Sequence, residues 1–294
     1  MTEQRKRLVT LPDGRDVEVV EAGEENRPAI LVHNGTPSAA GLIQEHVEDA
    51  VARGLRIVSY GRPGYGQSTR QPGRSVASAA KDTLDLADAL GIERFATWGI
   101  SGGGPHALAC AALLGHRVVA AASLAGVAPI DAEGLAFLAG MGEDNVEEFT
   151  AAIQGEDALR AYLEPHVPAL LGQEPKAMAE HMRTLLSGPD VAVFRGAFSE
   201  QVAKIMQDSL TSGIYGWLDD DLAFVKPWGF SLSSIQVPVQ IWQGEQDLMV
   251  PFSHGEWLAH NVPDADVRLS SDDGHLTVWV NRVPEVHAWL ASHF

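Results

Sequence analysis

The chain has 294 residues, 45% of them hydrophobic, and a formal net charge of −18 at pH 7. That length can bury a large core, and one main domain plus an insertion is the expected count. The acidity speaks against nucleic acid and anionic membranes as partners, since both present negative charge. The one cysteine, Cys110, excludes an internal disulfide; among Ala and Leu it reads as a small buried apolar residue. Met1 to Arg7 carries basic residues but no apolar run follows, so no signal peptide is expected. No stretch reaches membrane-spanning length, and a soluble cytoplasmic protein is the expectation. No His pair at i and i+4, Cys pair or carboxylate cluster has metal-ligand spacing, so neither a metal nor a cofactor is expected.

In chain order, 8–11 and 17–20 read as an opening hairpin around Pro12-Asp13-Gly14. Residues 30–33 and 57–60 are short β-branched strands, separated by a helix expected over Ala39 to Arg53. A second helix spans 75–90 and is stopped by Gly91. Strand 94–98, a helix from Pro105 to Leu114 and strand 118–124 follow. Alternation of this kind implies a mostly parallel, doubly wound α/β sheet with helices on both faces. It breaks between about Val127 and Ser233, where helical patterns occupy 146–153, 158–163, 176–186 and 200–209 and no strand is evident. The sheet pattern resumes at Val237 with strand 237–242 and ends with strand 266–270.

The most informative stretch is Gly99-Ile100-Ser101-Gly102-Gly103, a Gly-x-Ser-x-Gly frame between a strand and a helix. A strand turning straight into a helix forces its middle residue into strained backbone geometry, and small neighbours leave the hydroxyl exposed. The helix N-terminus behind it aims unpaired amides at developing negative charge. The alternative is a Gly/Ser-rich turn without chemistry, such as a phosphate loop, but no Gly-Lys-Ser/Thr follows. A serine nucleophile needs a base and a group to orient it. Asp247 lies on the loop after strand 237–242 and His275 on the loop after strand 266–270, in the order Ser, Asp, His.

Five segments in this order resemble the α/β-hydrolase family with a cap domain: His33-Asn34-Gly35-Thr36-Pro37, Gly61 to Ser68, the frame around Ser101, Gly244 to Asp247, and Gly274-His275. The resemblance covers nearly the whole chain. It implies Ser101 as nucleophile, His275 as general base and acid, and Asp247 as the orienting carboxylate. It also implies an oxyanion hole from the backbone amides of Gly102 and Thr36. The core would comprise 1–127 and 234–294, with a helical cap over 128–233. Two positions depart from the family pattern. Asn34 stands where His is common, and Gly61 where many relatives carry Asp before Arg, so Arg62 is read as having lost a local charge partner and as ordinary turn chemistry. His33 reads as structural or pocket-lining. Asp131 is a competing position for the triad acid, and Asp247 is preferred on motif fit. Asp272 and Asp273 read as loop-solvated neighbours able to raise the pKa of His275. The remaining histidines read as surface or packing residues.

Between Ile130 and Ser233 there are seventeen Asp and Glu against six Lys and Arg, a formal −11. A solvated acidic surface is the preferred reading; the other is a negative potential favouring neutral or cationic substrates over anionic ones. In the segment Tyr215 to Phe230, Trp217, Phe224, Trp228 and Phe230 are expected to fasten the cap to the core. A sharper alternative has Trp217 or Phe224 lining an acyl pocket and Asp219 or Asp220 receiving an amine. The reaction expected is hydrolysis of a small-molecule carboxylic ester through an acyl-enzyme. An aminopeptidase of the proline-iminopeptidase kind is the runner-up, and a ligand-binding protein that keeps the fold without turnover is the third reading.

Overall fold

In the computed structural model, which describes residues 2–171, 177, 178, 180 and 182–294, eight strands form one sheet. They are β1 (Arg5–Thr10), β2 (Asp16–Ala22), β3 (Ala29–His33), β4 (Arg56–Tyr60), β5 (Phe95–Ile100), β6 (Val118–Leu124), β7 (Val239–Gly244) and β8 (Asp266–Ser270). Their order is β1-β2-β4-β3-β5-β6-β7-β8; β2 pairs antiparallel with β1 and β4, and every other pairing is parallel. The helices described are α1 (Gln44–Ala52), α2 (Ser78–Ala89), α3 (Gly103–Leu113), α4 (Glu143–Gln154), α5 (Glu156–Leu170), α6 (Gly188–Val193), α7 (Gly196–Ser209), α8 (Tyr215–Phe224), α9 (Phe252–Asn261) and α10 (His275–Ala291).

Successive residues of a strand point to opposite faces, and the two cores divide accordingly. Leu31, Val58 and Phe95 pack with Leu86 of α2 and Leu108 of α3 on one face. Ile30, Ile57 and Trp98 pack with Val47 of α1 and Val286 of α10 on the other. Both faces of the parallel strands are covered, which is why β3, β4, β5 and β6 are buried along their full length. Among the described residues no helix is long and apolar enough to cross a membrane.

The inserted segment between β6 and β7 is helical, and among its described residues it contributes no strand. Leu159, Leu163, Leu210 and Leu218 form a small apolar cluster of their own, joined by Tyr65 from the sheet side. Three helices are longer than their sequence patterns, α4 and α7 by about a turn and α5 by more, and neither α6 nor α8 is among the helices the sequence suggests. The helix expected over 176–186 lies partly outside the described residues. The helix expected from Ala39 begins only at Gln44. The reason is Asn34, whose Nδ2 donates to the carbonyls of Ala39 (3.0 Å) and Gly41 (2.9 Å) and so takes them out of a helical ladder. From the insertion, Ile205 closes on Gly41 and fills the space a Cβ there would need.

Candidate active site

β5 runs without a loop into α3, and Ser101 occupies the junction with φ +56°, a left-handed conformation that costs a non-glycine residue energy. Its amide donates to Leu124 O (2.9 Å), which fastens the turn to β6. The flanking glycines are steric requirements. A Cβ on Gly99 would lie 2.0 Å from Gly103 O, and one on Gly103 would lie 1.9 Å from His33 O. The crossing of β5, α3 and the β3 loop is therefore closed to any side chain at those positions.

The loop after β3 lies against this turn. A Cβ on Gly35 would come 3.3 Å from Ser101 Cβ and 3.9 Å from its Oγ, while one on Gly102 would meet Thr36 Oγ1 at 2.5 Å and Phe224 Cζ at 3.0 Å. Ser101, Gly102 and Thr36 thus converge as the sequence suggests. Among the described residues, no acceptor takes the backbone amide of Gly102 or Thr36. Two free donors beside one hydroxyl suit a developing oxyanion.

His275 is the first residue of α10 and is buried. Its Nδ1 is 2.8 Å from Asp247 Oδ2. Asp247 is fixed in turn: Oδ1 accepts from the amides of Met249 and Val250 (both 2.8 Å), and Oδ2 accepts from Gln243 Nε2 (3.0 Å). Burial alone would lower the pKa of His275, but the Asp247 carboxylate outweighs it and the value lies above the usual imidazole 6.5. Ser101 and His275 line one cavity, although no hydrogen bond joins them here. Such bonds commonly tighten only around a bound substrate. Asp131 is exposed and belongs to a separate cleft beside Trp228 and Trp257. Asp273 is not loop-solvated: it is buried and paired with Arg282.

The second carboxylate near His275 comes instead from α6. Asp190 accepts from the amides of His275 (3.0 Å), Leu276 (2.8 Å) and Thr277 (3.1 Å), and from Ser187 Oγ (2.9 Å). It takes the first-turn amides that Gly274, lacking a side chain, cannot reach; the helix's own Thr277 Oγ1 accepts only from the amide of Gly274 (2.6 Å). Nothing local signals it, because 85 residues separate the partners.

Arg62 has a partner, also from the insertion. Asp220 Oδ2 accepts from Arg62 Nη2 (2.6 Å), Tyr65 Oη (2.8 Å) and Thr36 Oγ1 (2.8 Å), and Arg74 Nη1 bonds to Oδ1. His106 Nε2 lies 3.6 Å from Oδ1. Arg62 continues to the carbonyls of Asn34 and Gly35. Burial would raise the carboxyl of Asp220; Arg62 and Arg74 outweigh it and hold it well below the carboxylate range. Asp219 pairs with Arg70 (2.9 Å). Neither Asp219 nor Asp220 is therefore available to a substrate amine, which corrects that expectation.

Three successive helical residues point about 100° apart, and the third acid, Asp221, faces the cavity. Ser101, Gly102, Trp217, Phe224 and Glu148 line the same space, which His275 does not line. Asp221 is fully buried and neither of its oxygens has a donor. Glu148 accepts from Trp217 Nε1 (2.7 Å) and faces Asp221. Burial, followed by the neighbouring Glu148, pushes Asp221 well above the carboxylate range; burial also raises Glu148. The other titratable groups around the pair are Asp144, Tyr162, His166, Asp220 and Arg74.

Two stability measurements follow. Removing one member of a buried charge network strands the others at a cost of about 3–5 kcal/mol. Asp220→Ala is expected to lose that much in urea unfolding at neutral pH; a loss below about 1 kcal/mol would mean the network does not hold the insertion. For Glu148 and Asp221 the sign is opposite. Their folded pKa values are raised, so the folded state holds more protons above the ordinary carboxylate range and stability falls as pH rises. Asp221→Asn is expected to be more stable than the parent, with a gap that widens from about pH 5 to about pH 8. A gap that stays constant or reverses would show that the carboxyl is not strained by burial.

The model of the alpha/beta hydrolase fold family matches residues 28–282. A 3-oxoadipate enol-lactonase of Acinetobacter baylyi is 35% identical over 108 residues, 37% of this chain and 40% of the lactonase, so that match spans less than half of the relative. A 2-hydroxy-6-oxononadienedioate/2-hydroxy-6-oxononatrienedioate hydrolase of Burkholderia vietnamiensis is 26% identical over 93% of this chain and 90% of its own. Among solved structures, the enol-lactonase of Burkholderia xenovorans superposes with a TM-score of 0.67 at 18% identity, covering 98% of this chain and 99% of that one, a likeness of fold. With the family model extending over most of its length, the chain belongs to the alpha/beta hydrolase fold family.

Proposed function

We propose that this hydrolase cleaves a small-molecule carboxylic ester through an acyl-enzyme on Ser101. The observation that carries the reading is the left-handed turn at Ser101, set in one cavity with an imidazole already bonded to a carboxylate. A serine hydroxyl attacks a carbonyl only as its proton leaves, and His275 Nε2 is the ring nitrogen left for that proton once Nδ1 is engaged by Asp247. The tetrahedral oxygen falls between the amides of Gly102 and Thr36. His275 then returns the proton to the leaving alcohol, and water repeats the sequence on the acyl-enzyme. Residues 128–233 serve as the cap over a core of 1–127 and 234–294. Asp190 and Asp220 both reach from that cap into the machinery, one to the helix bearing His275 and one to the loop bearing Thr36.

An ester is favoured because it is the least demanding leaving group for this apparatus, and a lactonase is itself an esterase acting on a ring. The dioate named for the Burkholderia relative carries two carboxylates. A cavity lined by Glu148 and Asp221, with no arginine or lysine among its described lining, does not suit such a dianion.

Ser101→Ala is expected to lose at least about 10⁴-fold in kcat/KM on a neutral short-chain ester. Retention of activity within tenfold would remove serine catalysis from the account. The base must be neutral to accept a proton, so kcat/KM should rise with pH through an apparent pKa above about 6.5. In Asp247→Asn the largest opposition to burial is gone and only the smaller effect of Asp190 remains, so the rising limb should move to lower pH as the rate drops by about 10⁴-fold. A limb that stays in place would assign the titration to another group.

A further inference from the structure

Ser101 sits where two limbs of the cavity meet. Both limbs share Thr36, Pro37, Met182, Met206 and Met249 besides the serine. One limb runs on to Val202, Ile205, Leu276 and Trp279, an apolar lining, and it alone includes His275. The other passes Gly102 and runs between α4, α5 and α8 to Glu148 and Asp221. The group that hands a proton to the leaving oxygen has to stand on the leaving-group side. The apolar limb with His275 therefore takes the alcohol, and the acidic limb takes the acyl part.

The end of the acidic limb is chemically incomplete. Asp221 is fully buried, no N–H or hydroxyl donor among the described residues reaches either of its oxygens, and its side-chain partner is the facing carboxyl of Glu148, which uses one oxygen on the Trp217 indole. Two carboxyls facing each other, Asp221 buried and Glu148 half-buried, favour a state with one shared proton and one negative charge. No lysine or arginine among the described residues lines either limb; the basic side chain in the acidic limb is His166, whose charge bears on Glu148 rather than on Asp221. The location is also fixed. Phe224 packs on Gly102, and Asp221 precedes it by three residues, one helical turn or about 5 Å along the same face of α8. Asp220 pins that helix to Thr36, so the distance from the oxyanion donors to the pair is set by the fold.

The geometry points to Glu148 and Asp221 as a recognition site for a protonated amine carried on the acyl portion of the ester, a few bonds from the scissile carbonyl. The inference rests on the reading of Ser101 as nucleophile only for the direction in which the substrate lies. An ammonium brings three donors and one positive charge to a site with unsatisfied acceptors and one negative charge. The Trp217 and Tyr162 rings in the same limb can face it as well. A neutral acyl chain of equal size brings the pair no donor and no positive charge, and a carboxylate meets like charge.

Binding and turnover separate the two claims. Calorimetry on Ser101→Ala would compare the benzyl esters of glycine and β-alanine with those of propanoic and butanoic acid, their uncharged isosteres, and with monobenzyl succinate as the anion. At least one amino ester is expected to bind about tenfold or more tightly than its isostere, with the succinate weakest. Adding Asp221→Asn or Glu148→Gln should bring that ratio below about threefold. A ratio near one for both pairs, a ratio that survives both substitutions, or no binding of any ester at millimolar concentration overturns the amine site. Should one double variant fail to fold, the Ser101→Ala ratio and the other variant still decide. An amine preference in binding with no turnover of any ester by the parent would instead overturn the hydrolytic reading and leave the amine site standing.

Discussion

Asp220 is the carboxylate on which the arrangement of this molecule turns. It leaves the insertion on α8, enters the sheet domain fully buried, and meets two guanidinium groups, a phenol and the Thr36 hydroxyl. A buried ion pair is weak evidence for net stability, because desolvation offsets much of its attraction. What it supplies here is registry. The same Arg62 that holds Asp220 holds the carbonyls of Asn34 and Gly35, so the position of α8 and that of the loop beside Ser101 are fixed by one network. Asp190 does the equivalent for the other side of the site by capping the helix that begins at His275. The inserted helices are thus built into the site at two points.

Consequences run along α8. Because Asp220 points inward, Asp219 and Asp221 are turned to either side of it, one onto Arg70 at the surface and one into the cavity. Asp221 is left without donors as a result. An unpaired buried carboxyl costs stability, and sites that keep such a group commonly keep it for a ligand. The acidic surplus of the insertion therefore has three components, one of them the buried and partnered Asp190, Asp219 and Asp220. Most of it is the solvated face that composition suggests, while Glu148 and Asp221 lie inside.

The elements of the sheet could be read from the chain because the inner strands are short buried runs, while the exposed edge strands β1 and β8 are bounded by turn residues. The frame around Ser101 is legible for a stronger reason: a Cβ at Gly99 or Gly103 would lie 2.0 or 1.9 Å from a backbone oxygen, so the spacing itself encodes the crossing. Asp247 and His275 were legible by their order after strands. What could not be read were contacts between distant segments. Arg62 looked partnerless because its carboxylate lies 158 residues away. Asp190 shows no signature near His275, and the triplet of acids at 219–221 gave no sign of which one would stay unpaired. The early start expected for α1 failed on a single side chain, Asn34, that claims two carbonyls from outside the helix.

The central claim is that Ser101 is an activated nucleophile in the free protein, and covalent labelling tests it most directly. The parent and Ser101→Ala would each be treated with a fluorophosphonate and read by intact mass, with peptide mapping of any adduct. One adduct per chain, on Ser101 and absent from the variant, is the result this account predicts. No adduct on the parent, or an adduct on another residue that persists in Ser101→Ala, would contradict it.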